Sequence, residues 1–94
     1  MERIYKKAIK TWGIENQIDM FIEECSEAIV ALQHFKRGRI GTEKVCEELA
    51  DVEIMSTQMR IVFSAKNIDK VKTSKLKRLI KRAKKEVLWK GTRE

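Results

Sequence analysis

No proline interrupts this chain, and its glycines fall at only four positions, 13, 38, 41 and 91. Proline breaks a helix interior and glycine commonly sits just past a helix end, so these positions are where a helical chain of this kind is allowed to stop. Between them the sequence is rich in Ala, Leu, Ile, Met, Glu, Lys and Arg, all good helix formers. We therefore expect an all-α fold: a small bundle of about four helices, in one domain covering residues 1–94. A chain this short buries a modest fraction of its surface when folded alone, which makes homo-oligomerisation an expectation from the outset.

The punctuation sets the helix boundaries. A first helix, about Glu2 to Thr11, ends at Trp12-Gly13. A second runs from about Ile14 to Lys36 or Arg37, and "RGRIGTE" then breaks the pattern. Thr42 supplies an N-cap and Glu43 an acid that suits the positive end of a third helix, about Glu43 to Ala65. So short a connection predicts that helices two and three form an antiparallel hairpin. A fourth helix starts between Asn67 and Ser74, with Asn67, Thr73 and Ser74 all able to cap it, and continues to about Val87.

The longest apolar run, "AIVAL" at 28–32, is far short of a membrane span, and the N-terminal segment has no signal-peptide pattern. A cytoplasmic protein is expected. Cys25 and Cys46 lack partners at metal-ligand spacing and read as small buried apolar residues. Charge divides the chain: residues 1–65 carry net −2 and residues 66–94 carry net +9.

At 100° per residue, Ile14, Ile18, Phe21, Ile22, Cys25, Ala28, Ile29 and Leu32 fall on one stripe of helix two. On helix three the stripe is Val45, Leu49, Val52, Met55, Met59 and Phe63. Two acidic pairs intrude. Glu24 and Glu27 lie along the edge of the helix-two stripe, with Glu24 beside Gln17, Ala28 and Ala31. Glu48 projects between Val52 and Met55, and Asp51 lies on the flank. Burying an unpaired carboxylate is costly, so these acids need a cation. Two answers fit the spacing: a divalent metal bound by oxygen ligands alone, which suits Mg²⁺ or Mn²⁺, or salt bridges to the basic fourth helix.

The segments "EECSEAI" and "EELADVEIM" resemble the Glu-x-x-Glu and Glu-x-x-Asp signature of the all-α nucleoside triphosphate pyrophosphohydrolases, specifically the small MazG-like members. "KLKRLIKR", at 75–82, is similar to a Lys-x-x-Arg-Leu segment on the last core helix of that group. The resemblance covers about residues 12–85. It implies that Glu24, Glu27, Glu48 and Asp51 ligate Mg²⁺, that Lys75 and Arg78 contact the triphosphate, and that the substrate is cleaved to a nucleoside monophosphate and pyrophosphate. It also implies a homodimer or homotetramer. The regulatory partner domain of longer relatives has no room in this chain.

Other residues remain open between two readings. Glu23 turns outward and is either a proton acceptor for the attacking water or solvated surface. Trp12 and Gln17, with Asn16, are either a base-binding pocket or a core tryptophan and a surface amide. His34 lies on the polar face and receives no role. On helix four, Leu76, Leu79, Ile80, Ala83 and Val87 form the predicted buried stripe. Lys75 and Arg82 lie on one flank with Arg78 just outside, where they suit phosphate oxygens. The competing function for that helix is binding of a nucleic-acid backbone or of a protein, although it has no aromatic stacking platform. Ile54, Ile61 and Val30 fall off the main stripes and point to burial in an oligomer.

Overall fold

The computed structural model describes residues 1–91, those after Glu86 by their backbone alone. It is all-helical, with no strand among the described residues: α1 is Glu2–Trp12, α2 Ile14–Lys36, α3 Thr42–Phe63 and α4 Ala65–Gly91. Two compact units result, Met1–Phe63 and the chain from Ser64 onward. Among the described residues no helix is long and apolar enough to cross a membrane.

In the first unit α2 and α3 pack along each other, and α1 touches both. Gly13 joins α1 to α2 in one residue. Its φ of 86° is a conformation that side-chain-bearing residues avoid, its N–H donates to Ile9 O at 2.8 Å, and its carbonyl accepts from Gln17 N at 3.1 Å. One glycine thus ends one helix and begins the next.

The packed face of α2 is rotated away from the predicted stripe. Ala28 is buried, and Ile18, Phe21 and Cys25 are half-buried, but Ile14, Ile22, Ile29 and Leu32 are exposed. The residues that go in are Gln17, Ala28 and Ala31, with Glu24 half-buried among them. The face that packs thus carries two small alanines, and much of the bulky arc stays outside. On α3 the buried residues are Glu48, Met55, Gln58 and Met59, while Leu49 and Phe63 are exposed. Cys46 is exposed and Cys25 half-buried, so neither is the fully buried apolar residue expected.

The fourth helix starts earlier than predicted. Its cap is Ser64, whose Oγ accepts the Asn67 N–H at 3.2 Å and whose carbonyl accepts from Ile68 N at 3.0 Å. Ser64 holds φ at 105°, the one described non-glycine residue with positive φ. A serine there supplies the capping oxygen that a glycine would lack. Asn67, Thr73 and Ser74, the predicted caps, all lie inside the helix. Leu76, Leu79, Ile80 and Ala83 are exposed rather than buried; a periodic stripe records what a helix can cover, not that a facing surface covers it. Val87 lies outside the residues whose side chains are described.

Candidate metal centre

Glu24 and Glu27 on α2 and Glu48 on α3 each place one carboxylate oxygen within 4.8 Å of the others. The packing of α2 against α3 allows this convergence, because Glu24 shares the buried face of Ala28 and Ala31 and Glu27 borders it. Glu48 is 8% exposed, Glu24 is half-buried and Glu27 reaches solvent. Carboxylate oxygens from two helices, one acid buried and one exposed, thus converge where they could hold a cation.

The electrostatics oppose leaving this cluster bare. Two carboxylates about 4 Å apart repel by roughly 4 kcal/mol at an effective dielectric near 20. Burial holds the Glu24 carboxyl above its usual range, and the charges of Glu27, Asp51, Glu48 and Glu23 push it further up. Glu24 Oε2 and Glu48 Oε2 are buried with no hydrogen-bond partner. Such atoms are costly unless something pairs with them.

Glu48 has a cation within its own helix. Lys44 Nζ lies 3.1 Å from Glu48 Oε1 and 3.5 Å from Glu47 Oε2. The hydrogen bond to Glu48 raises the Lys44 pKa, with the Glu48 and Glu47 charges adding to it. Lysine in the first turn of a helix is disfavoured by the helix dipole, and the acids one turn on offset that. Its ammonium is half exposed, so it screens only one side of the cluster. A cavity of about 340 Å³ opens beside it, lined by Glu27, Glu48, Lys44, Ser26 and His34 among others.

The other predicted site residues separate into groups. Asp51 is exposed and does not join the three acids within that span, although its charge acts on Glu24. Glu23 is exposed and acts on Glu24 in the same way. Trp12 and Gln17 reverse the simpler expectation of a core tryptophan and a surface amide: Trp12 is 62% exposed and Gln17 is 1% exposed. They line a cavity of about 330 Å³ together with Asn16, Met20, Met55 and Gln58. Lys75, Arg78 and Arg82 are all exposed on α4. Lys75 lines an apolar groove of about 580 Å³ with Val71, Leu76 and Leu79, whereas Arg78 lines a separate basic one of about 420 Å³ with Lys77, Lys81 and Lys84.

Two residues escaped the sequence reading, and a third, His34, was placed on the polar face without a role. Lys44 was legible as a base four residues before an acid. Gln58 was legible as a polar residue one turn after Met55 on a stripe that contains Met59. His34, half-buried at the cavity wall, carried no signal. Compared with known proteins, the chain matches no family model, no curated protein and no solved structure.

Proposed function

We propose that this chain is a Mg²⁺-dependent nucleoside triphosphate pyrophosphohydrolase of the MazG-like kind, cleaving (d)NTP to (d)NMP and pyrophosphate. The observation that carries the reading is the convergence of Glu24, Glu27 and Glu48 within 4.8 Å, with two buried carboxylate oxygens lacking partners. An all-oxygen donor set without His or Cys fits a hard divalent cation, Mg²⁺ or Mn²⁺. The three acids would hold it, with Asp51, one turn from Glu48, completing the set from the rim. When bound, such an ion makes a water more acidic and neutralises charge on the departing pyrophosphate.

The protein's own groups supply the rest. Glu23 is the outward carboxylate next to the cluster and the candidate to accept a proton from water. Lys75, Arg78 and Arg82 offer ammonium and guanidinium groups to phosphate oxygens, and Lys44 offers another at the cavity rim. The pairing across the two helices, low α2 numbers with high α3 numbers, as in Gln17 beside Gln58, supports the expected antiparallel hairpin. Incubation with a panel of nucleoside triphosphates and Mg²⁺ tests the activity. Monophosphate plus pyrophosphate is the expected product pair; diphosphate plus phosphate, or no turnover of any member, would remove the reading.

The exposed Ile22, Ile29, Leu32, Leu49 and Phe63 support assembly into a homodimer or homotetramer, since apolar surface on this scale is unfavourable in water. Light scattering should give at least twice the 11.0 kDa chain mass; a monomer at micromolar concentration would contradict it. A cytoplasmic place fits a nucleotide substrate and two free cysteines.

A second reading has one observation in its favour. Every residue from 69 to 86 is exposed, and the segment is strongly basic, as a helix that binds a nucleic-acid backbone or an acidic protein would be. Salt-sensitive DNA binding that disappears when Lys75 and Arg78 are replaced, with no nucleotide turnover, would favour it.

A further inference from the structure

We propose that the cavity between Trp12, Gln17 and Gln58 is a nucleobase pocket, in which Trp12 stacks on the base and the Gln58 carbonyl oxygen accepts a hydrogen bond from a base N–H. The inference rests on the nucleotide reading above and names the residue that sets base preference.

Two buried amides line the cavity here, with the exposed Asn16 beside them and Trp12, Met20 and Met55 as its apolar walls. Gln17 is 1% exposed and Gln58 7% exposed, and both line the cavity with Met20 and Met55. Gln17 spends its amide nitrogen on long contacts, 3.4 Å to Asn16 Oδ1 and 3.6 Å to Met20 Sδ. Gln58 Oε1 has no partner at all. A methionine or leucine would fill the same space without stranding a polar atom, so the amide is costly to the fold and calls for a ligand donor. The terminal torsion of glutamine is broad, so a small turn brings Oε1 to the cavity surface. Trp12, mostly exposed at the mouth, presents an aromatic face that a small domain has no packing reason to leave in water.

The position is as telling as the chemistry. Gln17 precedes Glu24 by seven residues on α2, and Gln58 follows Asp51 by seven on α3. Seven residues are two helical turns, which return to the same face roughly 10 Å along the axis. A nucleotide laid along the α2–α3 seam would thus place its phosphates at the acids and its base at the amides.

The test uses Trp89→Phe protein, which leaves Trp12 the only tryptophan. Binding of dCMP, dUMP, dTMP, dAMP and dGMP is followed by quenching of Trp12 without metal, and hydrolysis of the five triphosphates is followed with Mg²⁺. We expect one base to be preferred by about tenfold or more, as for sites that hydrogen-bond their substrate. Gln58→Met should flatten that preference, with turnover of the preferred substrate falling towards that of the others, while the melting temperature holds or rises. Trp12→Leu, at an exposed position, should weaken all five alike. Base-selective quenching without any hydrolysis would sink the proposed activity and leave the pocket standing. Hydrolysis with no base preference, a preference that survives Gln58→Met, or no quenching by any nucleotide would overturn the pocket.

Discussion

Helix α3 buries an acid, and α4 leaves apolar residues exposed. On α3 the carboxylate Glu48 is 8% exposed, while on α4 the apolar Leu79 is 58% exposed. Both belong to periodic apolar stripes, and residue type alone would exchange their places. The comparison teaches that burial follows the facing surface. Helix α3 packs against α2, whose buried residues include the small Ala28 and Ala31, whereas Leu79 sits in a groove formed by α4 itself. The acid is enclosed because its helix has a packed neighbour, and paired charges can be enclosed only where two helices meet.

The largest expected effect breaks the comparison at the acid. Glu48→Gln keeps the size and removes one of the repelling charges, so hydrolysis should fall by about 10²-fold or more, in line with loss of a group that acts on the transition state. Metal-free melting should hold, or rise by an amount on the order of 1 kcal/mol. The abandoned Lys44 is half exposed and water takes over its hydration, so losing the pair costs the fold little. Calorimetry with and without Mg²⁺ checks both parts: the ion should raise the melting temperature of the parent far more than that of the variant. Retained activity with a large drop in metal-free melting temperature would make Glu48 structural.

Next in size is a direct exchange of the two regions' apolar residues. Met59→Ala, in the α2–α3 seam, should cost about 2–4 kcal/mol, whereas Leu79→Ala on the monomer should stay within about 0.5 kcal/mol. Urea unfolding of the two variants measures this. Equal losses would mean that α4 is covered in solution, and a concentration-dependent midpoint would then identify a second copy as the cover.

A smaller effect sharpens the roles of the charges. Replacing Lys75 or Arg78 by Ala should raise the KM or lower turnover by about tenfold, the size of a single charge-assisted hydrogen bond. Helical content should not change, because both side chains are exposed. Unchanged kinetics in both variants would remove α4 from the site.

The smallest concerns pH. The folded protein holds the Glu24 carboxyl above its usual range through burial and its acidic neighbours. A raised pKa means the folded state binds the proton more tightly than the unfolded chain does. The resulting stability is present in full below the unfolded pKa and is lost as pH rises through the folded one. For metal-free protein, this group's contribution should therefore raise the melting temperature slightly from pH 7 towards pH 5, and Glu24→Gln should flatten that slope. Saturating Mg²⁺ should reverse it, because ligating carboxylates must be ionised. A parent slope identical to that of Glu24→Gln would mean the cluster does not act on this group.

Much of this molecule was legible in the residues alone. The absence of proline and the placement of Gly13, Gly38 and Gly41 determined the helical character and the breaks between α1, α2 and α3, because these are local backbone preferences. The i and i+3 spacing put Glu24 with Glu27, and Glu48 with Asp51, each on one flank of a helix, because helical periodicity is also local. Where α2 turns its face was not local. Ile22 and Ile29 outweigh Ala28 and Ala31 in any hydrophobic stripe, yet close approach of two backbones favours the smaller pair, and that choice belongs to both helices at once. The same rotation buried Gln17 and Gln58, brought Glu24 to the seam and left Asp51 at its edge. Ser64 as the cap of α4 was likewise decided in three dimensions, by a backbone turn at φ 105° that no residue preference announces. Sequence determined which groups could meet; the faces that α2 and α3 turn to each other decided which did.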